Sequence, residues 1–470
     1  MNFTSLEFII FFPVVLILYW VMPGHRRWVL LLAASYLFYM SGSLRSGALL
    51  LFTTGVSYMA ALQMEKIRSE KGAGTKGIKM WMLFALVCCL GCLTLWKRKD
   101  FLAVGISFYT FQTLGYVLDV YHGRIPCERH FGYYALFVSF FPQLVAGPIE
   151  RTENLLPQLK KVQAWKRNDF ADGCWLLLKG FYKKLAAADY LAAFVDAAYA
   201  SPGEIGGLGA ILGTLCFAGQ IYCDFSGYTD IARGTARMMG IRLIENFEHP
   251  YGAENIREFW KRWHMSLTKW FTDYVYIPLG GSRKGTLVHC RNIMVVFLLS
   301  GLWHGLSWNY VVWGMMHGLC FVVYTLWGQK EVRPSRRDPY CGMLRGWVRH
   351  LVSRFAVFGV VCFAWVFFRA ENIRKAGQII GQILFHFADQ GILKTLQIMQ
   401  IQRIDVLLLP LVLVCLLLVD RMPDTIFRVT SLKETVKVSF LGFYMVNAIA
   451  LSWLILAAAD RGNSFIYFRF

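Results

Sequence analysis

Long apolar runs recur along the whole chain, and they constrain its fold more than any other feature. A helix needs about 20 apolar residues to cross a bilayer. The sequence therefore predicts an all-α, polytopic integral membrane helix bundle with about eleven transmembrane helices. Some runs are short for a span, and we expect these to be re-entrant, interfacial or buried within the protein. The apolar runs are 6–22, 28–40, 48–62, 80–95, 101–120, 133–146, 205–221, 293–303, 310–326, 351–368, 406–419 and 440–458.

The composition supports a membrane protein. Hydrophobic residues make up 56% of the 470-residue chain, which is too much for one soluble core to bury. The formal net charge of +20 would suggest nucleic-acid binding in a soluble protein. Here the basic residues lie in the loops between apolar runs, as the positive-inside rule describes. We therefore predict no nucleic-acid partner and place the basic loops 25–27, 65–79 and 333–349 in the cytoplasm.

The polar connections are short throughout the chain. We therefore expect a single integral membrane domain, residues 1–470, with no separate catalytic module. The region 219–318 is the richest in glycine, aromatic and ionisable residues, so we expect the site there. The 12 cysteines are scattered, mostly within apolar runs, and are interpreted as small hydrophobic residues. Because Cys89-Leu-Gly-Cys92 has no matching second pair, we predict no metal site.

The stretch Ser300-Gly-Leu-Trp-His-Gly-Leu-Ser-Trp308 places His304 inside an apolar, aromatic run. An ionisable side chain at membrane depth is costly and is therefore a candidate functional residue. The flanking glycines allow another backbone or a substrate to approach closely, and neutral imidazole can accept a proton near pH 7. The alternative is a histidine that only hydrogen-bonds between helices, and the residues alone leave both open.

A second histidine, His264, lies in a segment that alternates aromatic bulk with positive charge. If 259–274 is one continuous helix, Trp260, His264 and Leu267 share a face that can point into the protein. The alternative is a purely anchoring interfacial helix. A third histidine, His317, could act together with His304 only if the chain breaks near 306–307, and we favour a structural role for it.

The segment 222–233 brings Asp224, Ser226, Asp230 and Arg233 to the predicted membrane boundary. These side chains could bind a polar substrate group or form internal ion pairs, and we favour ion pairs because charges inside membranes usually pair. The chain has no G-x-S-x-G, H-E-x-x-H or Walker motif, and their absence argues against a serine hydrolase, a zinc protease and an ATP-driven transporter. The one G-x-G-x-x-G string, 72–77, lies in a basic loop with no βαβ pattern around it, so it does not indicate a nicotinamide enzyme.

Several longer motifs resemble the membrane-bound O-acyltransferase (MBOAT) family, and within it the branch of bacterial alginate O-acetyltransferase membrane subunits. The resemblance spans nearly the whole chain. It is carried by the stretches 105–112, 139–148, 224–230, 246–251, 259–267, 273–281, 301–305, 313–318 and 465–468. The last of these and Pro278-Leu-Gly-Gly281 match the acetyltransferase branch more closely than the related D-alanyl transferases.

The resemblance implies a helical bundle around a central funnel in the bacterial cytoplasmic (inner) membrane. It makes His304 the catalytic histidine and maps the second signature position onto His264. We expect His304 to act as general base and His264 to orient or polarise a thioester. Acetyl-CoA is the expected donor substrate, with no bound cofactor. Basic residues near the site, which could attract its phosphates, are Arg257, Lys261, Arg262 and Lys284.

We therefore expect transfer of an acetyl group from cytoplasmic acetyl-CoA across the membrane to a hydroxyl of an extracytoplasmic polysaccharide. Because the predicted outer loops are too short to hold a polymer, a separate extracytoplasmic partner protein should complete the transfer. One alternative is a D-alanyl transferase that modifies teichoic acid from a carrier-protein thioester. A non-enzymatic alternative is a proton-coupled polytopic transporter that uses the histidines as a proton relay.

Overall fold

A computed structural model describes residues 1–98, 105–327, 339–387, 389 and 391–421. The described part is all-α and contains no β-strand. Its helices are α1 (Leu6–Val21), α2 (Arg27–Met40), α3 (Leu44–Lys71), α4 (Lys76–Arg98), α5 (Ile106–Tyr121), α6 (Phe131–Ser139), α7 (Phe141–Leu144), α8 (Thr152–Lys160), α9 (Arg167–Phe181), α10 (Asp189–Ala200), α11 (Gly206–Met238), α12 (Ile256–Arg262), α13 (Met265–Phe271), α14 (Thr286–His304), α15 (Trp308–Trp327), α16 (Pro339–Arg369), α17 (Ile373–Phe385), α18 (Ile392–Ile398) and α19 (Arg403–Arg421). Short π-helical segments, Tyr182–Ala188 and Thr272–Tyr276, follow α9 and α13.

Six helices of the described part are long and apolar enough to cross a membrane, namely α3, α4, α11, α14, α15 and α16. The protein is therefore a multi-pass membrane protein, as predicted. This number is smaller than the predicted eleven, partly because residues 106–120 and 133–146 do not form long exposed helices. Residues 134–150 are buried throughout, which confirms that some apolar runs pack inside the protein. The predicted run 440–458 lies outside the described residues.

Helix α11 is central to the packing, because it contributes to both large hydrophobic clusters. Its C-terminal half packs with α1–α8, and its N-terminal half packs with α10, α12 and α14–α17. Glycines allow α9 to approach it closely, since a Cβ at Gly227 or at Gly234 would overlap the backbone carbonyl of Gly180 or of Gly173. The segment 259–271 contributes residues to both clusters, so it lies at their boundary.

Helices α14 and α15 form an antiparallel pair through two glycines. A Cβ at Gly301 would overlap the carbonyl oxygen of Tyr310, and one at Gly314 would overlap that of Phe297. The sequence predicted that glycines near His304 permit a close approach, and the structure shows that the approaching group is the backbone of α15. This contact fixes the end of α14, where His304 lies.

Candidate active site

His304 is the last residue of α14 and is only 5% exposed. The helix ends there because Gly305 adopts an extended conformation, with φ of −176°, although its N–H still bonds to the carbonyl of Gly301. The imidazole lies in an aromatic environment, with ring centroids 5.1 Å from Trp313 and 5.0 Å from Phe368. The site is therefore enclosed by apolar rings rather than by solvent.

The chain break needed between His304 and His317 is present, because α15 begins only at Trp308. The turn brings both histidines against one ring, with centroids 5.1 Å from Trp313 in each case. His317 is fully buried among aromatic side chains, including Trp260 at 4.9 Å. The structural role of His317 that the sequence favours stays a prediction.

His264 does not lie on a continuous helix, so the prediction for 259–274 is wrong. Helix α12 ends at Arg262 and α13 begins at Met265. Between them His264 adopts a left-handed backbone conformation, with φ of 44° and ψ of 53°. This conformation is uncommon for a residue with a Cβ, so surrounding contacts must maintain it.

Residues 246–248 form hydrogen bonds on both sides of this break. The N–H of Glu248 donates to the carbonyl of Arg262 at 3.0 Å, and the N–H of Met265 donates to the carbonyl of Asn246 at 2.9 Å. The Oδ1 atom of Asn246 accepts from the N–H of Ser266 at 3.2 Å. Groups that a continuous helix would satisfy internally are thus satisfied by another segment, which explains why local periodicity did not predict the break.

The imidazole of His264 is buried, with 1% exposure, in a pocket of aromatic rings. Its ring centroid lies 4.7 Å from that of Phe225 and 6.1 Å from that of Phe108. Burial lowers the pKa of His264 to about 3, because the charged form would lose its hydration. The ring is therefore neutral near pH 7. Neither ring nitrogen has a hydrogen-bond partner among the described residues, although buried polar groups usually have one.

Trp303 connects the two predicted catalytic histidines. Its ring centroid lies 5.9 Å from that of His264 and 4.7 Å from that of His304. The structure therefore brings both histidines into one aromatic cluster, although its residues come from α5, α11, α14 and the break between α12 and α13. They are neighbours through Trp303 and are not directly hydrogen-bonded to each other, since the ring nitrogens of His264 have no partner in the described part of the chain.

A cavity of about 480 Å³ lies between α12–α13 and α14–α15. This volume is in the range of about 300–1,000 Å³ that is usual for small-molecule sites. Neither His264 nor His304 lines it, but Leu267 and Ser300, each within one turn of a histidine, do so. The cavity wall therefore includes residues one helical turn from each histidine. Its wall is mostly apolar, with Trp260 and Phe297 among the lining residues.

The four basic residues predicted to attract donor phosphates fall into two groups. Arg257 and Lys261 are exposed and line the cavity. Arg262 instead forms an ion pair with Glu258 at 2.5 Å, and Lys284 is exposed but does not line the cavity. Of the four residues, Arg257 and Lys261 are therefore the ones that lie in the cavity wall.

The acidic residues of α11 form internal ion pairs, as the sequence analysis favoured. Asp224 pairs with Lys184 at 2.7 Å, and Asp230 pairs with Lys183 at 3.0 Å. Asp230 also contacts Arg233. The two lysines were not predicted from the sequence, although adjacent charges within the otherwise apolar stretch 180–188 indicate that buried partners are needed.

Glu150 is a further residue that the sequence analysis missed. Its carboxylate is 2% exposed and accepts hydrogen bonds from the N–H of Ile244 at 2.6 Å and from Asn154 Nδ2 at 2.7 Å. Burial raises the pKa of Glu150 to about 7. The adjacent N–H of Ile149 donates to Ser266 Oγ at 3.1 Å. Residues 149–150 therefore hold both the segment before Asn246 and the start of α13.

Comparison with known proteins places this arrangement in a family. The pattern of MBOAT, the membrane-bound O-acyltransferase family, matches residues 125–330. The probable alginate O-acetylase of Pseudomonas putida is 36% identical over 413 residues, which cover 83% of this chain and 81% of that protein. The chain belongs to the membrane-bound O-acyltransferase family. The resemblance found in the motifs is thus confirmed.

Two further relatives are named for the acyl group that they transfer. The peptidoglycan O-acetyltransferase of Helicobacter pylori is 30% identical over 429 residues, covering 80% of this chain and 78% of that protein. The teichoic acid D-alanyltransferase of Bacillus subtilis is also 30% identical, but over 288 residues, covering 57% of this chain and 69% of that protein. The protein is therefore a membrane O-acyltransferase, as predicted.

Proposed function

We propose that this acyltransferase moves an acetyl group from cytoplasmic acetyl-CoA across the cytoplasmic membrane. The acceptor is a hydroxyl of an extracytoplasmic polysaccharide, and a separate partner protein outside the membrane completes the delivery. The observation that carries the proposal is the pair of buried histidines that share Trp303 beside a cavity with cations in its wall.

The two histidines have different roles in the reaction. His304 takes the proton from the attacking hydroxyl, while the hydroxyl oxygen bonds to the thioester carbonyl carbon. His264 is neutral and donates a hydrogen bond to the developing oxyanion, which is favourable in a site that excludes water. The C–S bond then breaks, and the proton held by His304 passes to the leaving thiolate. Ester and free thiol are the products, and both histidines return to their starting state.

The cavity suits the donor better than the acceptor. Its long apolar wall fits a flexible, largely uncharged thioester arm, and Arg257 and Lys261 provide positive charge for the donor phosphates. A polysaccharide would instead need many hydroxyl partners. Acetyl-CoA supplies both the arm and the phosphates in one small molecule.

We prefer acetyl-CoA over a D-alanyl carrier protein as the donor because the O-acetyl-transferring relatives match a larger share of this chain. The two O-acetyl-transferring relatives cover 83% and 80% of this chain, whereas the D-alanyltransferase covers 57%. The family pattern matches residues 125–330 and so includes both histidines. The additional matched length favours acetyl transfer.

The test is consumption of radiolabelled acetyl-CoA by the purified protein in detergent, with a soluble oligosaccharide as acceptor. The His304→Ala variant should lose activity by at least about 10²-fold, because general-base catalysis usually contributes about 10²- to 10⁴-fold. The control is His386→Ala, since His386 is a half-exposed surface histidine. Normal activity of His304→Ala would overturn the assignment. Consumption of a D-alanyl carrier thioester instead of acetyl-CoA would establish the alternative donor.

A second arm tests the donor site. The double variant Arg257→Gln, Lys261→Gln should raise the KM for acetyl-CoA, and the effect should shrink at high salt because exposed charges are screened. Lys284→Gln is the matched control, because this lysine is exposed but outside the cavity lining. Equal effects of the two changes would mean that the cavity does not bind the donor phosphates.

A further inference from the structure

His264 reaches its place only because the chain breaks at this residue. A continuous helix from α12 into α13 would direct its side chain differently and would keep its backbone out of the left-handed region. The observed φ of 44° is unfavourable for a residue with a Cβ, so it persists only while neighbouring contacts hold it. Another residue must therefore stabilise this turn between α12 and α13.

Asn246 makes the contacts that hold the start of α13. Its carbonyl accepts from the N–H of Met265 and its Oδ1 accepts from the N–H of Ser266, so one residue satisfies two of the free donors at this helix end. The break thus has a helix cap, but the cap comes from a distant part of the sequence rather than from the preceding residue.

Asn246 is itself held rigidly. It is 1% exposed, and the chain before it is fixed by the hydrogen bond from the Ile244 N–H to Glu150. Phe247, the next residue, packs its ring against Phe225 with centroids 5.0 Å apart, and Phe225 also packs against His264. Asn246 therefore belongs to one connected set of contacts that ends at the His264 ring.

We propose that Asn246 is a positioning residue for acyl transfer, which sets the backbone at residues 264–266 so that the His264 imidazole faces the reacting thioester. The proposal rests on the proposed function, because Asn246 acts only through His264. Asn246 does not line the cavity proposed for the donor, so it should affect the rate of the chemical step and leave donor binding unchanged.

The test compares two substitutions of similar size. Asn246→Leu removes the Oδ1 acceptor, whereas Asn246→Asp keeps an oxygen in that position. The aspartate variant loses no other bond, because Asn246 Nδ2 has no hydrogen-bond partner among the described residues. The matched control is Asn372→Leu, which removes the same kind of bond, from the Lys375 N–H, at the start of α17, a helix that carries neither histidine.

Two measurements are made on each purified variant. The first is kcat and KM for acetyl-CoA, and the second is hydrogen exchange of the backbone amides of residues 265–266. For Asn246→Leu, kcat should fall on the order of 10- to 100-fold at nearly constant KM, because small displacements of catalytic groups cost about this much. Amide exchange at 265–266 should become faster. Asn246→Asp should recover most of kcat, and Asn372→Leu should change neither quantity.

Other outcomes would overturn the proposal. Wild-type kcat in Asn246→Leu, unchanged exchange at 265–266, or an equal loss of kcat in Asn372→Leu would each show that Asn246 does not position His264. A wild-type protein that consumes no acyl donor would instead refute the proposed function. In that case the exchange rates alone would still decide whether Asn246 holds the break.

Discussion

Burial keeps two ionisable side chains near the site from carrying full charge. The pKa of His264 falls to about 3 and that of Glu150 rises to about 7, in both cases because burial removes water from the charged form. For His264 the consequence is chemical, since a neutral ring can polarise a carbonyl without binding a proton first. For Glu150 the consequence is a dependence of stability on pH.

The pH dependence of Glu150 has a definite sign. Its folded pKa of about 7 is above the ordinary value of 4.5, so the folded state holds this proton more tightly than the unfolded state. The resulting stabilisation is fully present below the unfolded pKa and is lost as the pH rises through about 7. A shift of this size corresponds to roughly 3 kcal/mol.

Glu150→Gln should remove this pH dependence, because the amide stays neutral and its oxygen can still accept from Ile244. We expect the melting temperature of the wild type, relative to that of Glu150→Gln, to decrease between about pH 5 and about pH 8. Thermal unfolding of both proteins in the same detergent measures the difference. Parallel curves for the two proteins would show that Glu150 does not titrate in this range.

Among the helices, α14 and α15 determine where His304 lies. Their glycine contact leaves no space for a methyl group at Gly301, which is one turn before the histidine. By contrast, a Cβ at Gly91 in α4 would meet nothing within 4 Å. The chain therefore offers the same substitution at a tight and at an open helical position.

Gly301→Ala should lower both melting temperature and acyl transfer, because α15 must move away from the added methyl group. Overpacking of this kind typically costs about 1–3 kcal/mol. Gly91→Ala should leave activity unchanged and be neutral or slightly stabilising, since alanine favours helices over glycine by about 1 kcal/mol. Equal behaviour of the two variants, by thermal unfolding and turnover, would argue against the tight contact.

The buried ion pairs next to α11 hold the π-helical segment against it. Lys183 is 3% exposed and pairs with both Asp230 and Asp420, at 3.0 Å and 2.9 Å. Removing the lysine would leave two buried carboxylates with less positive charge to balance them. Removing one partner of such a pair typically costs about 3–5 kcal/mol.

Lys183→Met should therefore destabilise the protein strongly, and adding Asp230→Asn should restore part of the loss. The control is Lys375→Met, because Lys375 pairs with Glu371 on the surface and should contribute little. Thermal unfolding and the amount of folded protein in the membrane provide the measurements. A Lys183→Met protein as stable as the control would mean that the buried pairs add nothing.

For the whole molecule, the sequence predicts the fold class well but not the local geometry of the site. Apolar run length is a local property, and it correctly predicts an all-α membrane protein in which some runs are buried, but it does not say that residues 134–150 are among them. The break at His264 depends on Asn246 and Glu248, and the pairing of Asp230 depends on Lys183. Such contacts join distant segments, so periodicity within one segment does not contain them.

The family motifs supplied what periodicity lacked. They assign expected catalytic roles to His264 and His304, which their apolar, aromatic surroundings already indicate as candidates, and the structure places both against Trp303. They did not predict which cations line the cavity, because Arg257, Lys261, Arg262 and Lys284 look alike in the sequence. Only the three-dimensional arrangement separates Arg262, which is paired with Glu258, from the two residues that line the cavity.

Transmembrane acetyl transfer can be measured directly in sealed, inverted membrane vesicles from cells that express the protein. Radiolabelled acetyl-CoA is added outside, on the cytoplasmic face, and label is then sought as an ester in the lumen. We expect luminal ester that is protected from an added esterase and is lost in His304→Ala and His264→Ala. Ester only on the outer face, or solute uptake driven by a pH gradient without thioester consumption, would contradict this expectation.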